Sequence, residues 1–316
     1  MEDNKNKADV GIIICARNNK EITMRCLDSL LNLTYPVNNI ILVDDCSTDN
    51  SVEFIRNKYP NITIIENKKN IGPSKSRNNA ISLSKTKYIV TMDNDAYLSP
   101  DWLSKMVEFM ESDDSIGQVN GKILFTDDHS KIAAAGVSMS FNGRVYEIGF
   151  KQSAEKYNEI RQVLMASTAS TIIRRDVFNT VGGFYDGYFY GYEDTDLSLR
   201  INIAGYKVMY YPEAISYHAL GATVSKTIAR GKSKYYWTRN RVIMMLRNYE
   251  FKNLLKYLPL NLRCIISICR HNPDHIIPVL LGWLWIICHL PSIIIERMGI
   301  DRKVKDSELH KLFNQT

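Results

Sequence analysis

Two aspartates one residue apart close a short, β-branched, apolar run, Lys87-Tyr88-Ile89-Val90-Thr91-Met92-Asp93-Asn94-Asp95. Such a run reads as a buried strand whose end delivers both carboxylates to a sheet edge. No lysine or arginine stands between Lys87 and Lys105 to neutralise them. Hard oxygen ligands of this type suit Mn²⁺ or Mg²⁺, and a metal bridging to phosphate is the chemistry they offer. The other reading is an Asp-rich turn, since Asp and Asn bond readily to nearby backbone. Ser99 and Pro100 follow as an N-cap and a first helical position, which predicts a helix from Pro100. Further on, Glu193-Asp194 opens a helix with Leu197, Ile201 and Ala204 on one face and Gly205 as its stop. Two acids there either answer the helix dipole or raise one pKa, as a general base would need.

The elements that must position these groups alternate. Val10 to Ile14, Asn39 to Val43, Ile62 to Ile65 and the run ending at Asp93 read as strands. Helical segments lie between them, one opened by Asp44-Asp45-Cys46-Ser47-Thr48-Asp49 and one by Asn70-Ile71-Gly72-Pro73. This pattern predicts an α/β fold with a doubly wound, mainly parallel sheet, whose ligands bind at the carboxyl ends of the strands. The first turn, Cys15-Ala16-Arg17-Asn18-Asn19, lacks the glycines of a dinucleotide site, and no P-loop is present. Later, Ile116 to Val119 and Lys122 to Phe125 read as two strands, and Val137 to Gly149 as a hairpin over Asn142-Gly143. Ala166 to Ser170 reads as a strand beneath the ligand. Asp196 and Arg200 read as an i,i+4 pair on a helix surface.

In register, Ile41 to Ser51, Asn70-Ile71-Gly72 with Arg77-Asn78, Asp93-Asn94-Asp95, Gly182-Gly183-Phe184 and Gly191-Tyr192-Glu193-Asp194-Thr195-Asp196-Leu197 resemble the successive signatures of the inverting family-2 glycosyltransferases, over roughly residues 8–225. The resemblance implies a GT-A fold with a nucleotide-sugar half at about 8–95 and an acceptor half, carrying a smaller sheet, at about 96–230. It implies donor contacts from Asp44, Asp45, Ser47, Arg77, Asp93 and Asn94, with Asp44 on the ring N–H of a pyrimidine and Arg77 on the pyrophosphate or the base. It further implies a divalent ion, Mn²⁺ or Mg²⁺, on Asp95 with Asp93 and His218, and Asp194 as the base with Glu193 beside it in acceptor binding. The structural alternatives are a helix-opening acid at Asp44, a solvated charge at Arg77 and a satisfied histidine at His218. Ala219 to Thr223 reads as a loop closing over the diphosphate. The aromatic loop, the Glu-Asp pair and the basic tail look most like rhamnosyltransferase members.

Charge is unevenly spread over the 316 residues. Residues 1–218 hold 24 Lys and Arg against 28 Asp and Glu, and residues 219–316 hold 16 against 6. The basic part, 231–316, mixes these charges with aliphatics rather than polar residues, which favours a membrane surface over nucleic acid. Phe251 to Cys269 is amphipathic. His275 to His289 is more apolar, but fifteen residues reach only about 22 Å against a hydrocarbon core of about 30 Å. With Pro291 as a stop, a monotopic or re-entrant anchor is expected, and a kinked transmembrane pass through Ile295 is the second choice. Packing on the catalytic domain or on a partner subunit is the structural alternative. The charged start, Met1 to Asp9, has no apolar stretch, so the body is expected at the cytoplasmic membrane face. The six cysteines show no zinc spacing. Together these features predict transfer from a nucleoside-diphosphate sugar, UDP- or dTDP-linked, to a polyprenyl- or dolichyl-linked glycan. A non-catalytic nucleotide-sugar-binding membrane scaffold is the alternative.

Overall fold

The computed structural model describes residues 8–37, 39–219 and 230–315. Val10–Ala16 (β1), Asn39–Asp44 (β2), Thr63–Glu66 (β3) and Tyr88–Asp93 (β4) lie parallel in the order β3-β2-β1-β4. The central β1 is apolar on both faces, as a strand roofed by helices on both sides must be. On one face it meets Leu27 and Leu30 of α1 (Lys20–Leu31), Ile55 of α2 (Ser51–Lys58) and Trp102, Leu103 and Met106 of α4 (Trp102–Glu111). The other face carries Ala80 and Ile81 of α3 (Pro73–Leu83), Val177 and Phe178 of α5 (Arg175–Thr180) and Leu197 and Ile201 of α6 (Glu193–Ile203).

Past β4 the sheet continues through β11 (Ser170–Arg174), β6 (Ile116–Phe125), β12 (Lys207–His218) and β10 (Arg161–Gln162). β6 and β12 are parallel, while β11 runs against both β4 and β6, so one reversed strand joins the two halves. β5 (Ala96–Leu98) pairs with β12 and β7 (Ile132–Ala134) with β6. β8 (Val137–Met139) and β9 (Val145–Glu147) form a separate hairpin around Asn142-Gly143, as the sequence predicts.

Three local expectations are corrected. The two strands expected between 116 and 125 are one. Gly121 marks a close approach rather than a turn, since a Cβ there would lie 2.2 Å from the Ala214 carbonyl oxygen. The helix expected from Pro100 starts at Trp102, because β5 takes up the chain after Asp95 and the Ser99 hydroxyl donates to Asp101 at 2.8 Å. The small-residue run enters the sheet only at Ser170.

The tail folds as α7 (Arg230–Asn248), α8 (Phe251–His271) and α9 (Ile276–Met298), and it shares a core with the β8–β9 hairpin and the outer face of α6. α9 continues unbroken through Pro291 for 23 residues, about 34 Å at 1.5 Å per residue, which corrects the expected stop. Pro291 lies on the exposed face, as does Pro259 in α8. Leu197 and Ile201 face the sheet while Leu199 and Ile203 face the tail, so α6 has no open side. Asp196 and Arg200 are therefore a buried pair, not a surface one, at 2.7 Å. The Asp196 carboxylate also accepts from Arg247 at 3.1 Å, Asn248 at 2.7 Å and the Tyr188 hydroxyl at 3.3 Å. Burial alone would raise the Asp196 pKa, and the Arg200 and Arg247 charges overturn that and lower it. Asp196→Ala leaves two buried guanidiniums without their shared acid and is expected to cost about 3–5 kcal/mol. Urea denaturation of wild type and variant measures that loss; a change below 1 kcal/mol, roughly what an exposed pair is worth, contradicts the buried network.

Candidate active site

Backbone pairing brings the site together. Asp93 ends β4, and Asp95 lies two residues on, where β5 begins to pair with β12 in the register His218↔Ala96. The His218 Nε2 consequently lies 3.0 Å from Asp95 Oδ1 and 3.8 Å from Asp93 Oδ2. The ligand atoms of the three side chains fall within 4.8 Å of one another, with Asp95 and His218 buried and Asp93 partly open. Burial opposes protonation of His218, but the Asp95 hydrogen bond and the Asp95 and Asp93 charges outweigh it and raise the imidazole pKa. Two carboxylates and an imidazole converging in this way form a donor set that fits a Mn²⁺ or Mg²⁺ ion.

Arg77 ties this cluster to the second acid pair. Its buried guanidinium donates to Asp93 at 2.7 Å and to Glu193 at 3.3 Å, and it lies 5.7 Å from the Phe184 ring centre. Both acids therefore hold Arg77 from the protein side. Glu193 and Asp194 open α6 after Gly191 and Tyr192, whose φ angles of 78° and 72° put two successive residues in the left-handed region. That reversal turns the helix start toward the β4 end. Asp194 Oδ1 accepts from the Thr195 N–H at 2.7 Å and the Thr195 hydroxyl at 3.3 Å. Burial, then the neighbouring Glu193 charge, push the Asp194 pKa up to about 7. A carboxylate poised there can accept a proton near neutral pH.

The remaining predicted residues sit differently. Asp44 is buried at the end of β2 and accepts from the Ser47 N–H at 2.9 Å and from its hydroxyl, so Asp44 and Ser47 form one turn. Asp45 accepts from the N–H groups of Ile71 and Gly72, each at 2.9 Å, and pins the start of α3. Asn94 turns under the sheet, donating to the Thr23 hydroxyl at 2.9 Å. Of the loop expected over the diphosphate, Leu220 to Thr223 lie outside the described residues.

Sequence reasoning missed the contribution of the tail. Asn240, fully buried on α7, donates to the carbonyls of Tyr190 and Gly191, both at 2.8 Å, and Arg239 donates to the Gly187 carbonyl at 2.7 Å. These bonds hold the loop that aims α6. The signal was available: Asn240 and Arg247 are seven residues apart, two helical turns, which places both on one helix face.

Comparison with known proteins agrees with this geometry. The model of the family described as Glycosyl transferase family 2 matches residues 11–182. The chain is 36% identical over 121 residues to a poly(ribitol-phosphate) beta-glucosyltransferase of Bacillus spizizenii, a match covering 35% of this chain and 19% of that protein. It is 35% identical over 105 residues to the Escherichia coli UDP-Glc:alpha-D-GlcNAc-diphosphoundecaprenol beta-1,3-glucosyltransferase WfaP, covering 33% of this chain and 42% of the relative. The chain thus spans less than half the length of these curated relatives. A crystal structure of GalNAc-T7 with UDP, GalNAc and Mn²⁺ superposes with a TM-score of 0.65 at 14% identity, over 91% of this chain and 58% of that one. That likeness establishes a GT-A fold. With more than half of its length matched by the family model, and with this fold, the chain belongs to glycosyl transferase family 2.

Proposed function

We propose that the chain is an inverting, metal-dependent glycosyltransferase that moves a sugar from a nucleoside-diphosphate donor, UDP- or dTDP-linked, to a lipid-linked glycan. The observation that carries this reading is the side-chain cluster in which Asp93, Asp95 and His218 are joined through Arg77 to the Glu193-Asp194 pair. In the mechanism, Asp194 takes the proton of an acceptor hydroxyl as its oxygen bonds to the anomeric carbon. The bond from that carbon to the diphosphate oxygen breaks, and the nucleoside diphosphate leaves with its electron pair. Glu193, positioned by Arg77, orients the acceptor, and its charge keeps the Asp194 pKa high. Asp44, Asp45, Ser47 and Asn94 shape the floor on which the base and ribose rest, the last two acting through the turns they fix. Asp93, Asp95 and His218 would hold a divalent ion, which would supply charge neutralisation for the departing diphosphate. One displacement assisted by one base inverts the anomeric centre. The test is the configuration of the product by NMR: an α-linked donor should give a β-linked product, and retention contradicts the scheme. None of the relatives named above is a rhamnosyltransferase, so the donor panel sets dTDP-rhamnose beside UDP-glucose and UDP-N-acetylglucosamine.

Residues 1–230 form the catalytic part of this proposal, and residues 231–316 attach it to the cytoplasmic face of a membrane. α9 is long and apolar enough to cross a bilayer. It packs, however, along α7 through Val279, Gly282, Ile286 and Ile293, and α7 carries Lys232, Lys234, Arg239, Arg241 and Arg247. Crossing would drag those charges into hydrocarbon, at about 2.5–3.5 kcal/mol each near the centre. Lying flat instead buries the outward face of Ile277, Leu280, Leu284, Ile287 and Ile295, and Phe251 and Leu255 of α8 are likewise exposed. Replacing Leu280, Leu284 and Ile287, exposed by 62, 58 and 65%, with Glu should abolish co-sedimentation with anionic vesicles and leave the fold intact. Undiminished sedimentation of the folded triple variant contradicts this placement.

A further inference from the structure

Arg241, on α7, is only 8% exposed, yet its Nε has no hydrogen-bond partner and its guanidinium meets no carboxylate among the described residues. Arg77 and Arg200 also leave one nitrogen without a hydrogen bond, but each other buried arginine of this region meets an acid or a carbonyl: Arg77 meets Asp93 and Glu193, Arg200 and Arg247 meet Asp196, and Arg239 meets the Gly187 carbonyl. A buried guanidinium without an anion is costly, and such a group calls for an explanation.

Its surroundings supply one. The Arg241 Cγ lies 3.1 Å from where a Cβ on Gly143 would stand, against the turn of the β8–β9 hairpin. The Tyr192 hydroxyl donates to the Gly143 carbonyl at 3.0 Å, so the residue before Glu193-Asp194 touches the same turn. Burial raises the Tyr192 pKa, the charges of Arg241 and then Arg144 oppose that, and Asp194 reinforces it, which places both guanidiniums and the base within electrostatic reach of one phenol. Arg144 is exposed on the hairpin and its side chain makes no ion pair among the described residues. On the far side of the turn, Asn261 of α8 donates to the Asn142 carbonyl at 2.8 Å, tying the turn to the helix whose outer face carries Phe251 and Leu255.

We propose that Arg241, with Arg144, binds a phosphate or diphosphate group of the acceptor. A guanidinium fork matches phosphate oxygens in a bidentate manner, and the anion would supply the partner that the protein withholds. Placed between the base and the apolar face of the tail, this subsite anchors the acceptor while its far hydroxyl reaches Asp194. The inference rests on the reading that the chain transfers a sugar to an acceptor.

The test titrates inorganic pyrophosphate into the full chain in EDTA, which removes diphosphate contacts that need a divalent ion. Wild type should bind, and Arg241→Met should lose about tenfold to a hundredfold in affinity with a melting temperature equal to or above wild type, because it removes a buried charge. Arg241→Lys should fall between them. Equal pyrophosphate affinity in wild type and Arg241→Met overturns the proposal. So does a lowered melting temperature in Arg241→Met that Arg241→Lys restores while pyrophosphate affinity stays unchanged, the pattern of a structural guanidinium. Phosphatidylcholine vesicles carrying farnesyl diphosphate identify the source: tighter binding than to pyrophosphate assigns a lipid diphosphate, and equal binding assigns a soluble phosphate-bearing acceptor. Binding of UDP with Mn²⁺, measured on the same samples, should not change in Arg241→Met. Its absence from wild type would defeat the transferase reading separately from the Arg241 result.

Discussion

Asp194→Asn is expected to slow transfer by about 10²–10⁴-fold while nucleotide affinity stays within a few-fold of wild type. The amide keeps the shape and the Thr195 contacts but cannot take a proton. In wild type the rate should rise with pH through about 7, where Asp194 ionises against burial and the Glu193 charge, and that limb should vanish in the variant. Stability moves the other way. A carboxyl whose pKa is raised on folding penalises the native state once it ionises, so wild type loses stability as pH climbs from about 4, the unfolded value, through about 7. Asp194→Asn escapes that loss and should be at least as stable at pH 8, which separates a lost base from a damaged fold. Undiminished turnover in the variant removes Asp194 from the chemistry.

Asp95→Ala is expected to act on binding instead. Asp95 is 4% exposed and lies 3.0 Å from the His218 ring, so its loss strips the cluster of one hard oxygen and unpairs the imidazole. Nucleotide affinity in Mn²⁺ should fall at least about 100-fold, since even indirect supports of a metal site cost 10–100-fold when removed. The residual binding should no longer respond to EDTA. Titration of wild type and variant with and without Mn²⁺ reads both effects. A variant that keeps full metal-dependent affinity shows that the ion, if bound, sits elsewhere.

What the sequence made legible was whatever is written locally. β4 is a continuous apolar run with acids at its end, and β1, β2 and α3 carry equally local signals, so the parallel half of the sheet is readable within a residue or two of its boundaries. The reversed β11 is not, because its partners β4 and β6 lie about fifty or more residues away and an apolar strand does not state its direction. Asp196-Arg200 has the spacing of a surface pair, and only Arg247 and Asn248, some fifty residues on, make it a buried hub. Pro291 is a stop signal in an isolated helix. Here the hydrogen bond it forfeits belongs to the outward face, while Val279, Gly282, Ile286 and Ile293 continue to pack on α7 on either side of it. Charges in the tail read as membrane-seeking from composition, yet Arg239 points inward and with Asn240 holds the loop that aims the Glu193-Asp194 helix, while Arg247 bonds Asp196 on that helix.

The central claim is that the crevice binds a nucleoside-diphosphate sugar with a divalent ion, and calorimetric titration of the purified chain tests it most directly. UDP, dTDP, GDP and their sugars are titrated with Mn²⁺ and again in EDTA. The account predicts that one pyrimidine nucleotide and its sugar bind in Mn²⁺ and that EDTA abolishes the heat. No binding by any member of the panel to a chain shown by circular dichroism to be folded, or binding indifferent to the metal, contradicts it.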